Sequence, residues 1–198
     1  MSRPRIGIIL STTREGRFAD RPARWILDLA MARDDAAFEI VDLRDYPMGF
    51  FDRSTIPGVV PPPDADIDRW AAKMTELDGY VFVTAEYNHS IPAVLKNALD
   101  YVRVEPSRKP AAFLGYGGVG GARAVEQLRL ICIELAMAPT KTAVHIGMEP
   151  FLGLLRDGKD FADYDYLVQS ARDMLDELVW WTSTLKAGRD GQALAKAA

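Results

Sequence analysis

The chain of 198 residues contains one cysteine, Cys132, and two histidines, His89 and His145. A single thiol cannot close an intramolecular disulfide, which makes the reducing cytoplasm the default compartment. The two imidazoles have no Cys/His/carboxylate spacing around them, so no metal site is expected. Long hydrophobic runs are missing as well. The first apolar stretch, Ile6 to Leu10, is too short for a secretory segment or a bilayer span and reads as an opening β-strand. Positive charge is not in excess: a net charge of −4 leaves no electrostatic footprint for a nucleic-acid partner. Internal repeats and low-complexity tracts are absent. The neighbours of Cys132, LRLICIELAM, mark a core thiol rather than a reactive one.

What is present is the composition of a soluble globular protein, 48% hydrophobic and 26% charged. With ~150 residues per domain as a prior, one domain suffices. It is expected over residues 1–186, with a fraying, flexible tail at 187–198. Five β-rich runs, Arg5 to Leu10, Phe38 to Leu43, Gly79 to Thr84, Ala111 to Tyr116 and Thr142 to Ile146, alternate with helical periodicity. The helices are expected near 20–33, 65–77, 91–102, 121–137 and 162–186. This α/β alternation predicts a parallel sheet covered on both faces. Ser90 is placed to cap the third helix, with Pro92 in its first turn. Residues 45–68 are proline-rich and aperiodic, a long surface loop whose Phe50 and Phe51 need something to cover them.

Three strand ends carry polar or glycine-rich residues. The first strand runs into Ser11-Thr12-Thr13-Arg14-Glu15-Gly16-Arg17 just before a helix, where hydroxyls, N–H groups and guanidinium suit a phosphate dianion. A Ser/Thr-capped turn with solvated arginines is the alternative for this loop taken alone. The third strand runs into Ala85-Glu86-Tyr87-Asn88-His89. The fourth ends in Gly115-Tyr116-Gly117-Gly118-Val119-Gly120-Gly121, five glycines in seven residues. Such a turn lets backbone approach a flat ligand or simply permits positive φ. The dinucleotide fingerprint is not there: the first loop holds one glycine. In a five-stranded sheet of order 2-1-3-4-5 the ends of strands one, three and four face one crevice at the switch point, where ligands bind. Phosphate-type groups, an aromatic with amide partners, and a glycine platform together suit a phosphorylated planar heterocycle.

The stretches STTREGR, TAEYNHSIPAVLKNALD and GYGGVGGARAVEQLR resemble the three signatures of the NADPH-dependent FMN reductase family, flavodoxin-like oxidoreductases that include quinone, azo-dye and chromate reducers. The resemblance covers roughly residues 5–185 and implies a flavodoxin-like three-layer sandwich. It implies FMN bound non-covalently, with NADPH or NADH as co-substrate. Thr12, Arg14 and Arg17 would hold the phosphate. Ala85, Glu86, Tyr87 and Asn88 would line the ribityl chain and ring edge, and Gly115, Tyr116, Gly117 and Gly118 would approach the pyrimidine end. Ser11 stands where many relatives have glycine, Ala85 where proline is common, and Gly115 where serine is common.

The implied activity is two-electron transfer by a ping-pong mechanism to a small acceptor such as a quinone, azo compound, metal oxyanion or free flavin. Hydride chemistry belongs to FMN, so no catalytic side chain is expected. His89 and His145 are read as structural, and Glu86 as pairing outside the ring. The family is mostly dimeric or tetrameric, which implies a homodimer or homotetramer with the Phe50-Phe51 loop reaching a neighbour's site. Two other readings stand beside this one: a flavodoxin-type electron carrier, and a binding module that has lost its cofactor.

Overall fold

The computed structural model describes residues 3–54 and 62–197, with side chains as far as residue 191. Strands β1 (Arg5–Leu10), β2 (Ala37–Asp42), β3 (Gly79–Ala85), β4 (Pro110–Tyr116) and β5 (Ala138–Ile146) form a single parallel sheet. Their order is β2-β1-β3-β4-β5, the flavodoxin-like arrangement expected from the sequence. The helices are α1 (Asp20–Met31), α2 (Ala65–Glu76), α3 (Ala93–Asp100), α4 (Ala122–Glu134), α5 (Met148–Arg156) and α6 (Asp165–Ala197).

Every residue of β3 and β4 is buried, because GYVFVTA and PAAFLGY are apolar on both faces. The flanking β2 and β5 carry exposed residues and form the edges. Alternation along the strands divides the core in two. Ile6, Ile8, Leu10, Val81 and Val83 pack with α1 and α6 through Ile26, Ala171, Met174 and Leu178. Ile9, Tyr80, Phe82 and Phe113 pack on the opposite side with Trp70 and Met74 of α2, Leu95 and Leu99 of α3, and Leu128 and Cys132 of α4. Trp70 is fully buried and donates its indole N–H to the Ala98 carbonyl at 2.8 Å, which locks α2 to α3. Cys132 is a buried free thiol, and burial pushes its pKa up to about 12.

Several expectations need correction. The third helix begins at Ala93 behind Pro92, with no side-chain cap. Ser90 instead donates its hydroxyl to Gln127 of α4. β5 starts at Ala138, earlier than Thr142, and its Pro139 sits on an edge strand where a missing N–H is tolerated. α5 has no counterpart in the sequence periodicity, which Pro150 and Gly153 obscure; Pro150 falls in the first turn, where it costs little. α6 runs on past Ala187 to Ala197. Arg189 fixes it, donating to Asp78 at 2.8 Å and to the Arg108 carbonyl at 2.7 Å. Residues 55–61 of the proline-rich loop lie outside the described residues.

Candidate functional site

β1, β3 and β4 are neighbours in the sheet, so their carboxyl ends share one rim. The three following loops are bonded to one another there. The Ser11 N–H donates to the Val83 carbonyl at 3.1 Å, and the Glu86 N–H to the Tyr116 carbonyl at 3.1 Å. Arg14 Nε reaches the Tyr87 hydroxyl at 2.8 Å.

In the loop after β1, none of the N–H groups from Thr12 to Arg17 donates to another atom among the described residues. The Ser11 and Thr12 hydroxyls are buried and likewise without a partner. Buried polar groups are nearly always hydrogen-bonded, so such a cluster is a set of donors waiting for an acceptor. Three consecutive carbonyls of the same loop, those of Thr12, Thr13 and Arg14, are engaged. Arg44 donates from Nε to the Thr13 carbonyl at 3.1 Å and from Nη2 to the Arg14 carbonyl at 2.6 Å.

Arg17 takes the Thr12 carbonyl at 2.5 Å and Asp42 at 2.7 Å through Nη1, and spans both Asp20 oxygens at 3.0 and 2.7 Å. Its Nη2 also donates to the second Asp42 oxygen. These bonds exhaust the donors of a guanidinium, and the side chain is 2% exposed.

The turn after β3 is a two-residue reversal. Tyr87 and Ser90 exchange both backbone hydrogen bonds at 3.0 Å, with Asn88 and His89 at φ 49° and 73°. Consecutive left-handed residues are the requirement of a type I′ turn, and asparagine tolerates that region better than most. The turn is tied to α4: Gln127 donates to the His89 carbonyl at 3.0 Å. Glu86, whose side chain is 4% exposed, accepts from Arg123 Nε at 2.5 Å and from the Arg123 N–H at 3.2 Å. That carboxylate caps the positive end of α4 and is neutralised there.

After β4, the chain doubles back so closely that a Cβ on Gly121 would lie 2.6 Å from the Tyr116 nitrogen, and one on Gly115 would lie 2.8 Å from the Gly120 carbonyl oxygen. A serine at position 115 therefore does not fit this turn. His145 holds the turn from outside through Nδ1, 3.0 Å from the Gly120 carbonyl. Tyr116 points into the core, its ring edge-on to Phe18 at 5.1 Å and stacked on Phe151 at 6.4 Å.

The profile of the NADPH-dependent FMN reductases matches residues 4–150. The chain belongs to this family. It is 33% identical over 145 residues to an NAD(P)H-dependent FMN reductase of Schizosaccharomyces pombe, covering 71% of this chain and 72% of that one. It is 31% identical over 135 residues to a quinone reductase of Escherichia coli, covering 64% and 68%. Among solved structures, the flavoenzyme NAD(P)H:(acceptor) oxidoreductase FerB of Paracoccus denitrificans superposes with a TM-score of 0.69 at 18% identity, over 91% of this chain and 98% of that one. As a member of the FMN reductase family, the chain is an oxidoreductase that works with FMN and NAD(P)H.

The rim fits FMN. A phosphate supplies acceptors for the unpartnered amides and hydroxyls of the first loop, and the Arg14 Nη atoms have no partner among the described residues. Of the residues expected to form the site, the structure gathers Thr12, Arg14, Glu86, Tyr87, Asn88, Gly117 and Gly118 along one edge. Ala85 is buried, 2% exposed, beneath them. Arg17 has no donor left for a phosphate and instead shapes the loop, and the Tyr116 ring is buried against Phe18 and Phe151. Arg44, Arg123 and Gln127 carry no local sequence signal, because they lie 30 or more residues from their partners.

Burial pushes the Asp42 carboxyl up, but hydrogen bonds from Arg17 and the Arg44 N–H leave its pKa below the usual value. The Arg17 hydrogen bond lowers Asp20 too. The folded chain thus holds these protons less tightly than the unfolded one, whose aspartates titrate near ~3.9. Their stabilisation is complete above that pH and is lost as the pH falls through the folded values. Urea unfolding should show stability dropping more steeply between about pH 5 and pH 3 for the wild type than for Asp42→Asn; parallel profiles would contradict this.

Proposed function

We propose that this chain binds FMN non-covalently across the three rim loops and carries two electrons from NADH or NADPH to a small acceptor in a ping-pong cycle. The observation carrying this reading is the run of unpartnered amides with two buried, unpartnered hydroxyls at the end of β1. Quinones are the favoured acceptor class, since relatives of 31% identity are named 2-hydroxy-1,4-benzoquinone reductase and quinone reductase. Azo compounds, metal oxyanions and free flavins suit the same open rim.

Bound FMN supplies the hydride chemistry, so the protein's task is binding and orientation. Thr12 and the loop amides cradle the phosphate. Arg14, steadied at Nε by Tyr87, turns its two Nη atoms to phosphate oxygens in the bidentate manner of guanidinium. Ala85 to Asn88 follow the ribityl chain and ring edge. Gly117 and Gly118 present backbone without side chains to the flat ring. Glu86, clamped by Arg123, keeps its charge away from the electron-rich flavin.

Phe50 is 84% exposed on an arm anchored to α3. Asn97 donates to the Gly49 carbonyl at 2.7 Å and accepts the Phe51 N–H at 2.8 Å, while Phe51 packs edge-on against Tyr101 at 5.1 Å. So rigid an arm tipped by an uncovered aromatic suits a homodimer or homotetramer in which Phe50 reaches a neighbour's site.

Purified protein should be yellow, and initial rates with NADPH and a quinone should give parallel double-reciprocal lines; absence of flavin, or no oxidation without a partner reductase, would refute the enzyme reading. A bond to a charged group is worth ~1.5–3 kcal/mol, at about 1.4 kcal/mol per decade. Arg14→Ala should therefore weaken FMN binding by one to two orders of magnitude in a fluorescence titration of the apoprotein. Sedimentation velocity should show a dimer or larger species, and a monomer at micromolar concentration would discard the Phe50 arrangement.

A further inference from the structure

We propose that Arg44, just beyond β2 and outside the three rim loops, is a positioning residue that aims the first loop's amides at the phosphate and thereby sets the preference for FMN over riboflavin. The inference rests on the FMN reading above. In a trans peptide the C=O and N–H point in opposite directions. The carbonyls of Thr12, Thr13 and Arg14 are all drawn to one place, the first by Arg17 and the other two by Arg44. Both arginines are anchored on Asp42, which accepts from Arg17 Nη1 at 2.7 Å and from the Arg44 N–H at 2.9 Å. Three consecutive carbonyls thus face the end of β2. The N–H groups of Thr13, Arg14 and Glu15 must then face away from it.

The sheet order gives that direction a meaning. β1 lies between β2 and β3, so turning away from β2 means turning toward the end of β3 and the Tyr87 turn. That is the crevice between the first and third loops, spanned by the Arg14–Tyr87 bond. Free loops seldom keep three carbonyls aligned, because each peptide plane can rotate. Here the forked guanidinium of Arg44 holds two adjacent planes at once, a task for which the single ammonium of lysine lacks the geometry. Arg44 itself touches no group assigned to the flavin ring. Its loss should be felt at the phosphate and nowhere else on the cofactor.

The test is to titrate apoprotein with FMN and with riboflavin for the wild type, Arg44→Ala and Arg44→Lys. Both variants should lose about tenfold in FMN affinity, the equivalent of one amide–phosphate bond, with riboflavin affinity unchanged, so that the FMN-to-riboflavin ratio collapses. Wild-type FMN affinity in Arg44→Lys would overturn the proposal, because charge rather than fork geometry would then be what matters. Equal losses for both ligands would also overturn it, as general damage to the fold, and so would no loss in either variant. If the wild type binds neither flavin, it is the FMN reading that fails.

Discussion

The buried guanidinium of Arg17 is the constraint on which the rim depends. It joins the carbonyl end of the β1 loop, the carboxylate closing β2 and the first residue of α1, and it has no donor left over. A charge enclosed to this degree persists only when its partners satisfy it completely. Loop, strand end and helix start are therefore fixed relative to one another before any ligand arrives. Pre-organisation of this kind lowers the ordering cost of binding.

A second layer of order comes from α4. Glu86 caps its N-terminus, Ser90 and Gln127 meet beside it, and the Gln127 amide reaches the His89 carbonyl. Backbone strain at two left-handed non-glycine residues is thereby held in place by bonds from a neighbouring helix. Strained conformations persist where surroundings over-determine them, and they gather at functional sites.

The central sheet was legible in the sequence because β1, β3 and β4 are apolar runs flanked by turn residues, and such runs in an α/β alternation have few alternatives. The three loops were legible because polar and glycine residues cluster at strand ends. The exchange of roles between arginines was not. Arg14 and Arg17 look equivalent in STTREGR, and only Asp42, 25 residues along the chain from Arg17, separates a ligand-facing guanidinium from a buried one. Arg44 belongs to no recognisable pattern, because its function lies in which carbonyls it reaches. Ser90 reads as a helix cap by local rules, but its hydroxyl is drawn instead to Gln127, 37 residues away. Local propensity placed the elements; partners distant in the chain decided what individual side chains do.

The contact between Arg14 and Tyr87 closes the crevice along its polar edge. One wall of the cleft is braced through Asp42, the opposite wall through α4, and among the described residues this is the side-chain hydrogen bond that joins them. It is exposed to solvent, where water competes for both partners. Each wall is braced independently of this tie, so losing the phenol would leave the bonds to Asp42 on one side and those from α4 on the other in place.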